Sequence, residues 1–165
     1  MVGVGRGAQS GVLIKNAESL ERLEKVDTIV IDKTGTLTQA KPRFVGLRAV
    51  GIDEVELLRV TASLERSSEH PLAAAIVRNA TEWTLPLAAV EHFDAPVGKG
   101  VTGTVDGRRL IIGNRAIMAD AKIDTTQLDK DAETFRKDGA TAIFIAIDGT
   151  AAGTIAISDP VKATS

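Results

Sequence analysis

The chain has 165 residues, 44% hydrophobic and 25% charged, and its 20 basic against 22 acidic side chains leave a net charge of −2. Such a chain can bury a real core, as one domain or one domain plus pieces of another, and nothing marks it as disordered or as a binder of polyanions, so nucleic acid is excluded as a partner. With no Cys there is no disulfide framework and no thiolate metal site, and with no run near the roughly 18 apolar residues of a membrane span, and no signal-peptide core at the start, the chain is expected to be soluble.

Residues 1–15 contain Gly3, Gly5, Gly7 and Gly11. Gly3-Val4-Gly5-Arg6-Gly7-Ala8 has the form of a dinucleotide fingerprint, but the fingerprint needs a strand before it and none can precede residue 3. Leu20, Leu23 and Val26 mark one face of a short amphipathic helix over 17–26. Thr28-Ile29-Val30-Ile31 is β-branched and continuously apolar, which predicts a strand buried on both faces of a parallel sheet, with Asp32 at its carboxyl end. Pro42 makes 39–42 a short hinge and disfavours helix at Lys41. Residues 44–50 then alternate as a half-buried strand, and Asp53 with Glu56 forms an N-terminal capping pattern for a helix through about Arg66. Pro71 starts the next helix, with Leu72, Ile76 and Val77 on its buried face. Asp106-Gly107 predicts a hairpin joining 101–105 to 109–112, and Asp148-Gly149 one joining 142–147 to 151–157, both antiparallel. Between them lie predicted helices over 115–121 and 126–138, the second ended by Gly139.

The stretch Asp32-Lys33-Thr34-Gly35-Thr36-Leu37-Thr38 carries the chemistry. Strand ends of open α/β sheets are where loops converge on ligands, and a carboxylate there can attack a phosphoryl group to give an acyl phosphate. Lys33 would offset charge, Gly35 would permit an unusual turn, and the Thr hydroxyls would donate to oxyanions. An Asp followed by Thr and Gly more often caps a turn. A specified seven-residue string, however, arises by chance in such a chain with probability on the order of 10⁻⁷.

That string resembles the phosphorylation signature of the P-type ATPases, and the resemblance makes Asp32 the phosphoacceptor, with Lys33 and Thr34 beside it. Ser68-Glu69-His70-Pro71-Leu72-Ala73 resembles the His-Pro motif of the heavy-metal (CPx) branch. Gly98-Lys99-Gly100-Val101 and Gly113-Asn114 match the family's glycine pair and Gly-Asn element, and Asp159-Pro160-Val161-Lys162 resembles the segment that re-enters the phosphorylation domain. The Lys-Gly-Ala element of other branches is absent, in keeping with the heavy-metal assignment. Also missing are the Cys-Pro-Cys ion site, the Gly-Asp-Gly segment that supplies a magnesium carboxylate and the Thr-Gly-Glu dephosphorylation loop, so the expectation is a cytoplasmic piece of a larger pump with no metal site of its own.

The fold this implies is α+β: an antiparallel sheet with flanking helices, the nucleotide-binding domain (39–157), inserted into an incomplete α/β haloacid-dehalogenase-like phosphorylation domain (1–38 and 158–165). The resemblance further implies ATP and Mg²⁺ as cofactors. It implies as partners the rest of the phosphorylation domain, the actuator domain and the transmembrane domain of the same pump, and the piece itself is expected to be monomeric. Glu69 leans toward copper or silver over zinc or cadmium as the transported ion.

An adenine needs a face to lie against and an acceptor for its amine, and a chain with no Tyr, one Trp and four Phe has few aromatic options. By resemblance Glu65 bonds adenine and His70 orients the nucleotide, although a His before Pro is by itself a helix cap. Gly98 and Gly100 let backbone amides approach phosphate and Lys99 adds charge, or the same residues simply turn the chain into a strand. Gly113 and Asn114 complete the nucleotide set, Asn114 serving the ribose or phosphates, a helix N-cap, or both. Asp159 and Lys162 receive no catalytic role, and His92 is structural. Two other functions fit parts of the sequence: a haloacid-dehalogenase-type phosphatase, against which Thr34 stands where a second Asp is normal, and a non-catalytic nucleotide-binding or docking module.

Overall fold

The computed structural model describes residues 2–31 and 36–162, so Asp32, Lys33, Thr34 and Gly35 lie outside the described residues. The chain divides into two compact units, Met1–Asp32 and Lys33–Ser165.

In the first unit, helix α1 (Val2–Gln9) occupies the glycine-rich start, which the sequence did not predict, and α2 (Ala17–Glu24) follows. Asn16 caps α2 by accepting from the Ser19 amide at 2.9 Å, and the helix ends two residues before the predicted Val26. The predicted strand at Thr28-Ile29-Val30-Ile31 does not form: Ile29, Val30 and Ile31 are 66%, 95% and 52% exposed. A strand buried on both faces needs hydrogen-bonded neighbours and covering helices, and among the described residues this unit holds two short helices and no strand.

The second unit is a six-stranded sheet in the order β1-β6-β5-β4-β3-β2. Its strands are β1 (Arg43–Ala49), β2 (Val90–Asp94), β3 (Gly100–Val105), β4 (Arg108–Gly113), β5 (Thr141–Ile147) and β6 (Thr150–Ser158). Every ladder is antiparallel, and the two Asp-Gly turns close the β3–β4 and β5–β6 hairpins as their sequences require. Strand β2 has no counterpart among the predicted elements. It is an edge strand whose polar Glu91 and His92 break the alternation, with His92 at φ 52° and a register shift between Glu91 and Asp94.

Helices cover both faces. Period two sends Leu110, Ile112, Ile145, Ile155 and Ile157 to one face, where α3 (Glu54–Glu65) and α4 (Pro71–Glu82) bring Leu57, Leu64 and Ile76. Ile111, Phe144, Ala146 and Ala151 point to the other, against Ile117, Met118 and Leu128 of α5 (Arg115–Asp120) and α6 (Thr126–Lys137). Each fully buried Leu, Ile or Phe contributes about 1.5–3 kcal/mol. Gly153 and Gly103 let the α3 layer approach, because a Cβ would stand 2.4 Å from Leu57 Cδ2 and 2.6 Å from Leu64 Cδ1 respectively.

Asp53 caps α3 through the Val55 and Glu56 amides, at 2.9 and 3.1 Å. The Glu56 carboxylate does not reach back to complete the box. It turns to Arg59 and Arg108, which pull it well below the usual carboxylate range, to about 2, the Arg59 hydrogen bond contributing most. Two segments far apart in sequence meet beside the sheet: Thr38 bridges Val161, and the Gln39 amide donates to the Pro160 carbonyl at 2.9 Å. Asp159 clasps the two segments, accepting from the Thr38 hydroxyl at 2.5 Å and the Lys41 amide at 3.1 Å.

Candidate nucleotide site

The end of α3, the turn into α4 and the starts of β3 and α5 border one cleft of about 490 Å³. Glu65, His70, Gly98, Lys99, Gly100, Gly113 and Asn114 all line it, although they come from three separate stretches of chain. Asp32, Lys33 and Thr34 lie outside the described residues.

Glu65 ends α3 at the floor of the cleft and is 7% exposed. Leu72, Val101, Ile112 and Ile143 give the surrounding wall its apolar character. Burial pushes the Glu65 carboxyl up to about 7, partly offset by a hydrogen bond from Ser68. A carboxyl so placed is half protonated near neutrality and can donate as well as accept.

His70 is the N-cap of α4, its Nδ1 accepting from the Leu72 amide at 3.1 Å, with Pro71 at the first helical position. The capping role read from sequence is thus real. Because Nδ1 accepts, the proton of the neutral ring sits on Nε2, which remains available as a donor to a bound molecule.

The glycines divide by physical reason. Gly100 and Gly113 are directly opposed across the β3–β4 ladder. A Cβ on Gly100 would lie 2.0 Å from the Ile112 carbonyl oxygen, and one on Gly113 2.1 Å from that of Lys99. Gly98 instead has φ +70° and open space where its Cβ would be, so its requirement is conformational and its amide borders an unobstructed part of the cleft.

Asn114 makes three hydrogen bonds. Its Oδ1 accepts from the Ala116 and Ile117 amides at 2.9 and 3.2 Å, capping α5, while its Nδ2 donates to the Gly98 carbonyl at 2.8 Å. The capping role offered by sequence is present, and the second bond ties Asn114 to the 95–99 loop. The Lys99 ammonium pairs with Asp120 at 2.6 Å, an acidic partner that no sequence signal marked. Sequence reasoning also missed the aliphatic wall and Val97, which is 97% exposed at the mouth of the cleft. Val101, Ile112 and Ile143 are ordinary strand positions and Leu72 an ordinary helix position until the fold gathers them, and an exposed Val in a Pro-Val-Gly loop has no motif.

The haloacid dehalogenase-like hydrolase family model matches residues 26–165. Over its whole length the chain is 54% identical to a silver exporting P-type ATPase of Salmonella typhimurium, of which it covers 20%; it spans about a fifth of the length of the curated relatives it matches. It superposes with a TM-score of 0.71 and 34% identity on a solved zinc-transporting PIB-type ATPase, covering 98% of this chain and 26% of that one. A catalytic domain of a CPx-ATPase, solved in a study of its conformational changes on nucleotide binding, matches with a TM-score of 0.65 and 27% identity over 91% of this chain and 50% of its own. The six-stranded sheet and the cleft beside the Ser-Glu-His-Pro turn thus sit in a chain that belongs to the haloacid dehalogenase-like hydrolases and that resembles, within them, the heavy-metal P-type ATPases.

Proposed function

We propose that this chain is the ATP-binding part of a heavy-metal-exporting P-type ATPase, with adenine against Glu65 and His70 and the triphosphate toward Gly98, Lys99 and Gly100. In the intact protein a carboxylate oxygen of Asp32 attacks the γ-phosphorus. The bond to the β–γ bridging oxygen breaks, ADP leaves, and an aspartyl phosphate remains. The observation that carries this reading is that seven residues from three stretches of chain, each expected at a nucleotide, border a single cleft.

The resemblance to a CPx-ATPase domain that changes conformation on nucleotide binding supports the same conclusion. Among the described residues no three His, Cys, Asp or Glu side chains gather as a metal site. In this reading Mg²⁺ arrives with the triphosphate, whose charge it offsets. The rest of the phosphorylation domain, the actuator domain and the transmembrane domain of the same pump are the partners, and the ion is silver, as in the name of the 54% identical relative, or copper, as in those of two 49% identical relatives. Among the described residues no helix is long and apolar enough to cross a membrane.

Calorimetric titration of the chain with ATP, with and without Mg²⁺, tests the reading. Saturable binding that His70→Ala abolishes is the expected result. Labelled γ-phosphate should not appear at Asp32 in this chain alone, since its magnesium carboxylate is missing. Absence of ATP binding overturns the assignment of the cleft.

A further inference from the structure

We propose that the cleft reads its base with the protonated form of Glu65, and that loss of this one proton shifts the preference from adenine toward guanine. The inference rests on the nucleotide reading above and adds a base-selecting proton to it.

The adenine edge that a single side chain can grip carries an acceptor, N1, beside a donor, the exocyclic amine. A neutral carboxylic acid matches both, its O–H donating to N1 and its carbonyl oxygen accepting from the amine. A carboxylate matches only the amine and sets a charged lone pair against N1. Guanine presents two donors side by side, N1–H and its exocyclic amine, and these suit the carboxylate and not the acid.

What the surroundings of Glu65 supply decides between the two forms. The carboxyl is buried at the end of α3 among Leu72, Val101, Ile112 and Ile143, and among the described residues no cation pairs with it. Ser68 offsets part of the burial effect on it. The other titratable groups on the cleft are Glu69 and His70 in the turn into α4, both exposed, and Lys99 on the loop before β3, held by Asp120. The cleft faces of β3, β4 and β5 contribute no charge. Arg66, next in the chain, donates to the Ala88 carbonyl. An unpaired carboxyl in such a place favours its neutral form, in the direction that burial gives it.

The test uses adenosine and guanosine, neither of which titrates between pH 6 and pH 8, in NMR titrations of the whole chain and of Glu65→Gln. A glutamine amide carries a donor and an acceptor together, as the neutral acid does. With the carboxyl titrating near 7, wild-type affinity for adenosine should fall about tenfold from pH 6 to pH 8 while the adenosine-to-guanosine ratio narrows. Glu65→Gln should hold the pH 6 affinity for adenosine throughout, and the difference between the two profiles is the contribution of Glu65. A wild-type profile that is flat or rises with pH, or a glutamine variant as weak as Glu65→Ala, overturns the proposal while ATP binding stands. If neither nucleoside nor ATP binds at any pH, the nucleotide reading falls and the proposal with it.

Discussion

Asn114→Ala removes three hydrogen bonds at once, two that cap α5 and one that holds the Gly98 carbonyl. Losing an Asn cap costs about 1 kcal/mol, and the bond to Gly98, between neutral groups, contributes about another 1 kcal/mol. The variant should therefore lose roughly 2 kcal/mol in urea denaturation, which for a unit of this size lowers Tm by roughly 6 °C. Asn114→Asp keeps the capping oxygen but replaces the amide donor with a second acceptor facing a carbonyl, so it should recover about half of that stability. Both variants free the 95–99 loop, and the binding energy then has to order it, weakening ATP binding by about fivefold, equivalent to ~1 kcal/mol. Paired urea and calorimetric measurements separate the two effects. If Asn114→Ala abolished ATP binding without any stability loss, Asn114 would contact the nucleotide directly, and its assignment as a residue that positions the loop would be wrong.

The remaining predictions concern charge and packing. The Glu65 carboxyl is raised from the ordinary 4.5 to about 7, so the folded state binds the extra proton between these values and stability falls as pH rises through that window; Glu65→Gln should abolish the decline and be more stable at pH 8 by about 3 kcal/mol. The opposite sign holds for Glu56: lowered to about 2 by Arg59 and Arg108, it stabilises the fold above pH 4.5, and acid titration should show that contribution lost toward pH 2 in wild type and absent in Glu56→Gln. Asp120→Asn releases Lys99 from an exposed pair; stability should change by less than about 1 kcal/mol, while ATP affinity rises a fewfold at low salt and adenosine affinity stays unchanged. Gly153→Ala would drive a methyl to within 2.3 Å of the Arg48 carbonyl oxygen and 2.4 Å of Leu57 Cδ2, and should cost about 2–3 kcal/mol in urea denaturation. A neutral result there would mean that α3 can move off the sheet without penalty.

Local chemistry by itself determined much of this protein. Two Asp-Gly turns fixed the hairpins, Asp53, His70 and Asn114 began helices where their side chains can accept amides, and Pro71 sat where its missing N–H costs nothing. Each of these depends on neighbours within a few residues, so it can be read without the fold. The nucleotide set was legible as a list of residues, because motifs name members, but a list carries no geometry. Bringing α3, the Ser-Glu-His-Pro turn and the β3–β4 ends to one cleft, burying Glu65 and pairing Lys99 with Asp120 were decided by tertiary structure alone. The instructive failure is Thr28–Ile31. A continuous apolar run signals burial on both faces, and the runs that achieve it here are β5 and β6, which do so in an antiparallel sheet between two helical layers. Strand direction and burial belong to the neighbours a run finds; Ile29, Val30 and Ile31 have the pattern and remain exposed because, among the described residues, no strand pairs with them.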